Sequence, residues 1–487
     1  EPSSRRGVGV ERISQLLAVL ESEGRLARGA FLPREAMGLH RGSVTEWCDA
    51  EVLRQLRRRS LAALRREVEP VDADAFARFL QAWHGIGSER RGLDGLVEVI
   101  GQVQGAALVA STLESEVLPS RLVSYRPSDL DALCTSGELV WVGAGAVGSS
   151  DGRVRLCFAD QVALLAPSWE VSDRPEGELH DAIRAHLRDR GASFWNQLRS
   201  AAPGSTDAEL LAALWDLVWS GEVTNDSLAP LRALLSSKGR TASPSSRGRA
   251  RPGRLTRLGP PLGSGRWSLV APLCEPMPSS TEAAHAAATQ LLERHGVVTR
   301  EAVLAEGVVG GFASVYGVLK VLEERGQARR GWFVAGLGAA QFAVAGAVDR
   351  LRSMRDRVDR EVRPADVPAP VVLAATDPAQ PYGAALAWPV VEGRSARPQR
   401  AAGAVVVLRD GVPLAWFDRR SHHVLTFDLA AGDDWAEALA RQVKDGRARS
   451  VEVRKVDGEP VDPSGPWASS LRRAGFVEGY RGWTLRT

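Results

Sequence analysis

A short cassette recurs four times in this chain and constrains its fold more than any bulk property. Two leucines stand three residues apart, a glycine follows four residues after the second, and an apolar residue lies two places beyond. The copies are Leu17–Leu20–Gly24–Leu26, Leu130–Leu133–Gly137–Leu139, Leu214–Leu217–Gly221–Val223 and Leu319–Leu322–Gly326–Ala328. Leucines three apart share one helix face, and a glycine four residues later suits the left-handed position that ends a helix. A strand beginning directly after that glycine is how a winged helix-turn-helix unit leaves its recognition helix and enters its wing. Four such units in tandem imply an α+β chain shaped to hold nucleic acid.

At 487 residues the chain is too long for one core, so several domains are expected. A net charge of +3 does not by itself mark a nucleic-acid binder. The make-up of that charge says more, because only four of the 62 basic residues are lysine (Lys238, Lys320, Lys444 and Lys455). Arginine presents a planar fork suited to phosphate, although a coding bias toward arginine explains the same count. The four cysteines (Cys48, Cys134, Cys157 and Cys274) have no paired spacing. That pattern disfavours a zinc site or a disulfide framework and suits a reducing cytoplasm. No signal peptide and no apolar run of membrane-spanning length is found, so no membrane partner is expected. The chain opens at Glu1-Pro2-Ser3-Ser4 without a methionine, which suggests a piece of a larger protein.

The expected organisation is five modules. Residues 1–70 form a first winged helix followed by a long amphipathic helix, and residues 71–175 a second winged helix with a helical linker. Its wing is a hairpin of Glu138–Val142 and Arg153–Phe158 with a turn at Asp151-Gly152. Residues 176–278 form a third unit, whose wing strand at 222–224 is separated from its partner at 266–270 by a long basic insertion, 225–266. No acidic residue lies between Asp226 and Glu275, whereas Arg247, Arg249 and Arg251 cluster there. The Ser-, Gly-, Pro- and Arg-rich part of this stretch is either a disordered spacer or a basic arm for phosphates. Residues 279–363 form the fourth unit, with recognition helix Phe312–Arg325 and wing Ala328–Val334. The period-two strands and tight turns of 364–487 predict a C-terminal β-barrel.

A motor would need a G-x-x-x-x-G-K-[ST] loop to cradle phosphates, and none of the four lysines follows a glycine. No cofactor is therefore expected in this chain. His422-His423 invites a metal reading, but neighbours on a strand point to opposite faces.

Several segments resemble the C-terminal region of Lhr, the large helicase-related proteins of superfamily 2. They are Glu46–Arg59 (EWCDAEVLRQLRRR), Ser60–Val71 (SLAALRREVEPV), Val140–Gly145 (VWVGAG), Trp332–Arg350 (WFVAGLGAAQFAVAGAVDR) and Thr376–Gly383 (TDPAQPYG). The resemblance implies a 3′-to-5′ ATP-dependent DNA helicase linked to repair, with upstream motor domains, absent from this chain, that use ATP and Mg2+. It also implies self-association into a homo-oligomer, and tandem winged helices before a barrel, shared with the AlkZ/YcaQ type of DNA glycosylase. Those glycosylases carry a Gln–apolar–Gln motif beside the damaged nucleotide. Here Gln102-Val103-Gln104 falls between helices expected at 93–100 and 107–117. Gln102 and Gln104 are thus catalytic candidates on the glycosylase reading, where an amide holds an attacking water; otherwise they cap and link two helices.

The candidate DNA contacts are arginines near recognition helices and wings: Arg121, Arg126, Arg153, Arg155, Arg199, Arg329 and Arg330, with Arg247, Arg249 and Arg251 from the insertion. They would set position on the phosphate backbone rather than read sequence. Three functions stay open: a DNA-binding, oligomerising region of a repair helicase, a glycosylase acting on a damaged or uracil base, or a protein–protein assembly scaffold.

Overall fold

The computed structural model describes residues 10–29, 31, 46–56, 69–169, 173–236, 259–338, 340–355, 368–392, 396–427 and 434–486. Contacts divide the chain into two compact units, Glu1–Pro70 and Val71–Thr487.

In the first unit, helix α1 (Val10–Ser22) leads into strand β1 (Leu26–Gly29), which pairs antiparallel with β2 (Glu46–Asp49). The turn between helix and strand is the cassette: Gly24 adopts φ +71°, and the Arg25 amide donates to the Leu20 carbonyl at 2.9 Å. This closes the last helical turn as a left-handed cap requires.

The larger unit repeats this construction three times. The second winged helix contains α2 (Ala73–Trp83), α3 (Gly92–Val103), β3 (Leu108–Val109), α4 (Pro127–Ser136), β4 (Leu139–Ala146) and β5 (Gly152–Phe158). The third contains α5 (Glu178–Arg190), β6 (Ser193–Phe194), α6 (Trp195–Ala201), α7 (Asp207–Trp219), β7 (Val223–Asn225) and β8 (Arg266–Leu269). The fourth contains α8 (Ser280–His295), β9 (Val297–Val298), α9 (Arg300–Ala305), α10 (Gly311–Glu324), β10 (Ala328–Gly331), β11 (Gln341–Val344) and α11 (Ala347–Arg355). Their sheets share one order, with the second wing strand central: β3-β5-β4, β6-β8-β7 and β9-β11-β10. Gly137, Gly221 and Gly326 have φ of +81°, +82° and +72°, each where a helix hands over to a wing. The leucines of all three cassettes are buried, from 0% to 5% exposed. Full burial of a leucine contributes about 1.5–3 kcal/mol, so each cassette anchors its helix to its own core.

The second and third units share one core and touch backbone to backbone. A side chain at Gly143 would place its Cβ 1.8 Å from the Val218 carbonyl oxygen, and one at Gly152 would meet the Trp219 ring at 2.3 Å. Thr224 Oγ1 donates to the Trp141 carbonyl at 2.5 Å across the same seam. The distant wing strands of the third unit do pair, Val223 with Leu269 and Asn225 with Trp267, and an unanticipated helix, Ala229–Ser236, follows β7.

In the C-terminal part no closed barrel is found among the described residues. Strands β12 (Val371–Ala374), β13 (Ala404–Arg409), β14 (Val412–Asp418), β15 (His423–Thr426), β17 (Lys455–Val456) and β18 (Glu459–Pro460) form one sheet in that order. No ladder joins its ends, β12 and β18, among the described residues. A second sheet holds β16 (Ser450–Val453), β20 (Gly482–Arg486) and β19 (Val477–Gly479), with helices α12 (Asp434–Lys444) and α13 (Ala468–Ala474). The large sheet is apolar on both faces. Val405, Val407 and Phe417 pack with Trp435, Leu439, Leu471 and Trp483, while Val406, Leu408 and Trp416 face the cluster holding Phe76, Phe79 and Leu80 of α2. Alternate residues of one strand thus enter two cores. A sheet covered on both faces buries its apolar surface without curling shut.

None of the described helices is long and apolar enough to cross a membrane. His422 Nε2 lies 3.7 Å from Glu452, whereas His423 Nε2 accepts the Gly458 amide at 2.8 Å, so the two rings serve different partners.

Two glycine substitutions separate backbone strain from close approach. At Gly137 an added Cβ meets nothing within 4 Å, so Gly137→Ala is expected to cost about 1–2 kcal/mol through its left-handed φ alone. Gly143→Ala must part the second and third units and should cost more. Urea unfolding curves check this order; equal losses would contradict it.

Candidate functional site

Helix α3 sets one candidate site. It runs to Val103, so Gln102 lies in its final turn and Gln104 is its cap, rather than both occupying a loop between helices. Helix α8 of the fourth unit packs against this end. Gln104 Nε2 donates to Gln290 Oε1 at 2.8 Å, and Gln290 Nε2 in turn donates to the carbonyls of Gly101 and Gln102 at 3.0 and 3.2 Å. These two donations fix the orientation of the Gln290 amide and therefore that of Gln104. Gln104 Oε1 is buried without a hydrogen-bond partner. Gln102 points elsewhere, its Nε2 donating to the Trp83 carbonyl at 2.9 Å. Gln104 lines an open cavity, which also receives Glu138, Asp160, Gln161, His285 and Glu293. Asp151, another polar group of this unit, holds Ser111 Oγ at 2.6 Å.

The wing of the second unit sets another. Arg153 and Arg155 lie two apart on β5 and share a face. Arg153 is exposed, while Arg155 is 7% exposed with its guanidinium 5.0 Å above the Trp169 ring. Both line a cavity of about 650 Å³ that is completed by His295 and Glu306 of the fourth unit and by Thr376, Gln380 and Arg400 of the C-terminal module. Burial tends to raise the Glu306 carboxyl, but the adjoining Arg294 and His295 override it and hold it down at about 2. Burial lowers the Arg400 guanidinium to about 10, against the opposing pull of Asp377 and Glu306. It therefore stays charged at neutral pH.

Arg121 must be reassigned. It is fully buried, donating to both carboxylate oxygens of Asp377 at 2.6 and 2.9 Å, to the Val117 carbonyl at 2.8 Å and to Ser120 Oγ at 3.0 Å. His84 Nδ1 lies 3.2 Å from its other nitrogen, and burial, then Arg121, hold the His84 ring well below its usual pKa. This guanidinium belongs to the core, out of reach of a phosphate. Arg126 is exposed at the N-cap of α4, and Arg199 is half-buried, bound to Asp207 at 2.9 Å and to the Ala202 carbonyl. Arg329 and Arg330 are exposed on β10, with Arg330 5.9 Å over the Tyr316 ring. Arg247, Arg249 and Arg251 lie outside the described residues. Sequence reasoning missed Arg400, Arg294 and Glu306, because each gains its meaning only from modules far apart in the chain.

Residues 71–159 and 277–363 match family models described as "Large helicase-related protein, winged-helix domain". The chain carries Lhr winged-helix domains. It is 47% identical over 479 residues to the "Lhr helicase/ probable uracil glycosylase" of Mycolicibacterium smegmatis, covering 95% of this chain and 31% of that protein. It is 35% identical over 471 residues to the "Lhr helicase/uracil glycosylase" of Escherichia coli, covering 90% and 30%. The chain thus spans about a third of the length of these curated Lhr relatives and matches them as their C-terminal region. Among solved structures it is similar to Streptomyces sahachiroi DNA glycosylase AlkZ, with a TM-score of 0.43 and 14% identity over 77% of this chain and 97% of that one.

Two expectations follow for the buried charges. Breaking one side of the Arg121–Asp377 pair strands a buried charge, so Arg121→Ala or Asp377→Ala should each cost about 3–5 kcal/mol, and Arg121→Met with Asp377→Leu should recover much of it. Urea denaturation of the four proteins checks this. Glu306, with a folded pKa below its ordinary 4.5, stabilises the fold at neutral pH and loses that contribution as pH falls from about 4.5 toward 2. The stability gap between wild type and Glu306→Gln, on the order of 3 kcal/mol at pH 7, should shrink across that window. A gap independent of pH would refute the assignment.

Proposed function

We propose that this region grips DNA as the accessory, self-associating part of a larger ATP-driven DNA-repair helicase, whose separate motor domains use ATP and Mg2+. The observation that carries the reading is the placement of cations on wings: Arg153 on the second, and Arg329 with Arg330 on the edge strand of the fourth, all exposed. Wings are the parts of such units that meet the sugar–phosphate backbone. Arg126 adds charge at the start of a recognition helix. Self-association finds support in the C-terminal hairpin, where Val477 and Tyr480 are 69% and 102% exposed. A closed symmetric oligomer would reuse such a patch in every subunit.

A second reading is base excision. The curated relatives carry the words uracil glycosylase in their names, and Gln104 Oε1 is a buried acceptor still in need of a donor, such as a water. On this reading Gln104 orients water toward the sugar carbon of a flipped nucleotide, and Gln102 steadies the helix end through Trp83. Alkali-induced strand breakage of a uracil-containing duplex, compared between wild type and Gln104→Ala, tests it; equal cleavage would remove Gln104 from the chemistry.

The DNA-grip reading predicts affinity that falls steeply with salt, since released counterions drive binding. Arg329→Gln with Arg330→Gln should lower the slope of log affinity against log salt by about 2, close to one for each phosphate no longer neutralised. Fluorescence anisotropy across a salt series measures it, and an unchanged slope would place the fourth wing off the DNA.

A further inference from the structure

The cavity gathers three guanidinium groups, those of Arg153, Arg155 and Arg400. Asp377 lies between two guanidinium groups, and both of its carboxylate oxygens go to Arg121. Arg400 receives only carbonyls: Nη1 donates to Gln380 at 2.6 Å, and Nη2 to Thr376 at 3.1 Å and to the Asp377 main chain at 3.3 Å. No ion pair of Arg400 occurs among the described residues. Glu306, the nearest lining carboxylate, is already gripped by Arg294 and by His295. The remaining acid on the wall, Asp173, is exposed. Arg153 and Arg155 also line the cavity, as do the apolar side chains of Phe76, Leu80 and Leu108. A sheltered guanidinium facing open space without a direct ion pair is costly unless an anion joins it.

We propose that this cavity binds the phosphomonoester of a nucleotide, either the phosphorylated end of a DNA strand or a free deoxynucleoside monophosphate. A monoester carries close to two negative charges at neutral pH and several acceptor oxygens, where a backbone diester carries one. Converging arginine forks suit the former, through charge-assisted bonds. The apolar wall takes the sugar and base, and the cavity is of the size that small ligands occupy. This site shares Arg153 with the second wing and leaves Arg329 and Arg330 of the fourth wing to meet diesters along the strand.

The test is a titration of the whole chain, at one salt concentration, with single strands ending in a 5′-phosphate, in a 3′-phosphate or in hydroxyls only. At least one phosphorylated strand should bind about tenfold tighter than the hydroxyl-ended one. Arg153→Gln and Arg400→Gln should each abolish that preference. Arg400 also braces the 376–380 turn, so Arg153→Gln, at the rim, decides the matter if Arg400→Gln fails to fold. Competition by deoxythymidine monophosphate but not by deoxythymidine would identify the free nucleotide as a ligand; competition by neither would assign the site to strand ends. Equal affinity for all three strands, or a preference that survives Arg153→Gln, would overturn the proposal. Affinity for the hydroxyl-ended strand is read in the same experiment, so failure of the wing grip and failure of this site are distinct outcomes.

Discussion

Both carboxylate oxygens of Asp377 accept from the Arg121 guanidinium. This pairing ties the turn after the π-helical stretch Leu113–Val117 to the turn after β12, a connection spanning 256 residues. The pair is completely buried, where an unmatched charge is far more costly than at a surface. Helix α2 packs beside it, with residues 75–80 all buried against the face of the C-terminal sheet. The second winged helix and the C-terminal module are thereby held in one register, and the cavity between them acquires its walls. The arrangement also leaves Arg400 with carbonyl partners alone, so the interaction that secures the fold also sets the charge of the cavity.

Much of this architecture is written locally. Leu130, Leu214 and Leu319 with their partner leucines predict helix faces, and Gly137, Gly221 and Gly326 mark the handovers to wings, because glycine enters left-handed backbone without the steric penalty that a side chain brings. The pairing of β7 with β8 is also readable, since both strands carry wing patterning despite the chain between them. The C-terminal sheet is not. A strand such as Val405–Val406–Val407 alternates between two apolar surroundings, and alternation alone does not say whether the second is another strand or α2. Arg121 misleads for a related reason: its sequence neighbourhood is that of a surface arginine, and the carboxylate that draws it inward is remote in sequence. Gln102 and Gln104 read as loop residues because the helix is expected to stop at 100, whereas α3 continues to Val103.

The cations divide into two populations with different physical roles. Arg121, Arg184 and Arg294 are nearly buried and are matched by acids, Arg184 by Glu222 and Asp181 and Arg294 by Glu306. These hold elements together. Arg126, Arg329 and Arg330 stand in solvent, where a charge costs little and remains available to a partner. Composition cannot separate the populations, which is why a net charge of +3 conceals both. The thiols follow the same logic: burial pushes Cys134 and Cys157 up to about 12, leaving them inert packing groups.

The third wing closes its ladder across some forty residues, from Asn225 to Arg266. The entropy lost on joining two chain ends grows only logarithmically with the length between them, by about 0.6 kcal/mol for each doubling. Lengthening the link between Ser236 and Gly259 therefore barely alters the stability of the β7–β8 ladder, whereas Leu228 and Leu231 on its near side are buried in the shared core. Insertions at that tip can accumulate almost free of thermodynamic consequence.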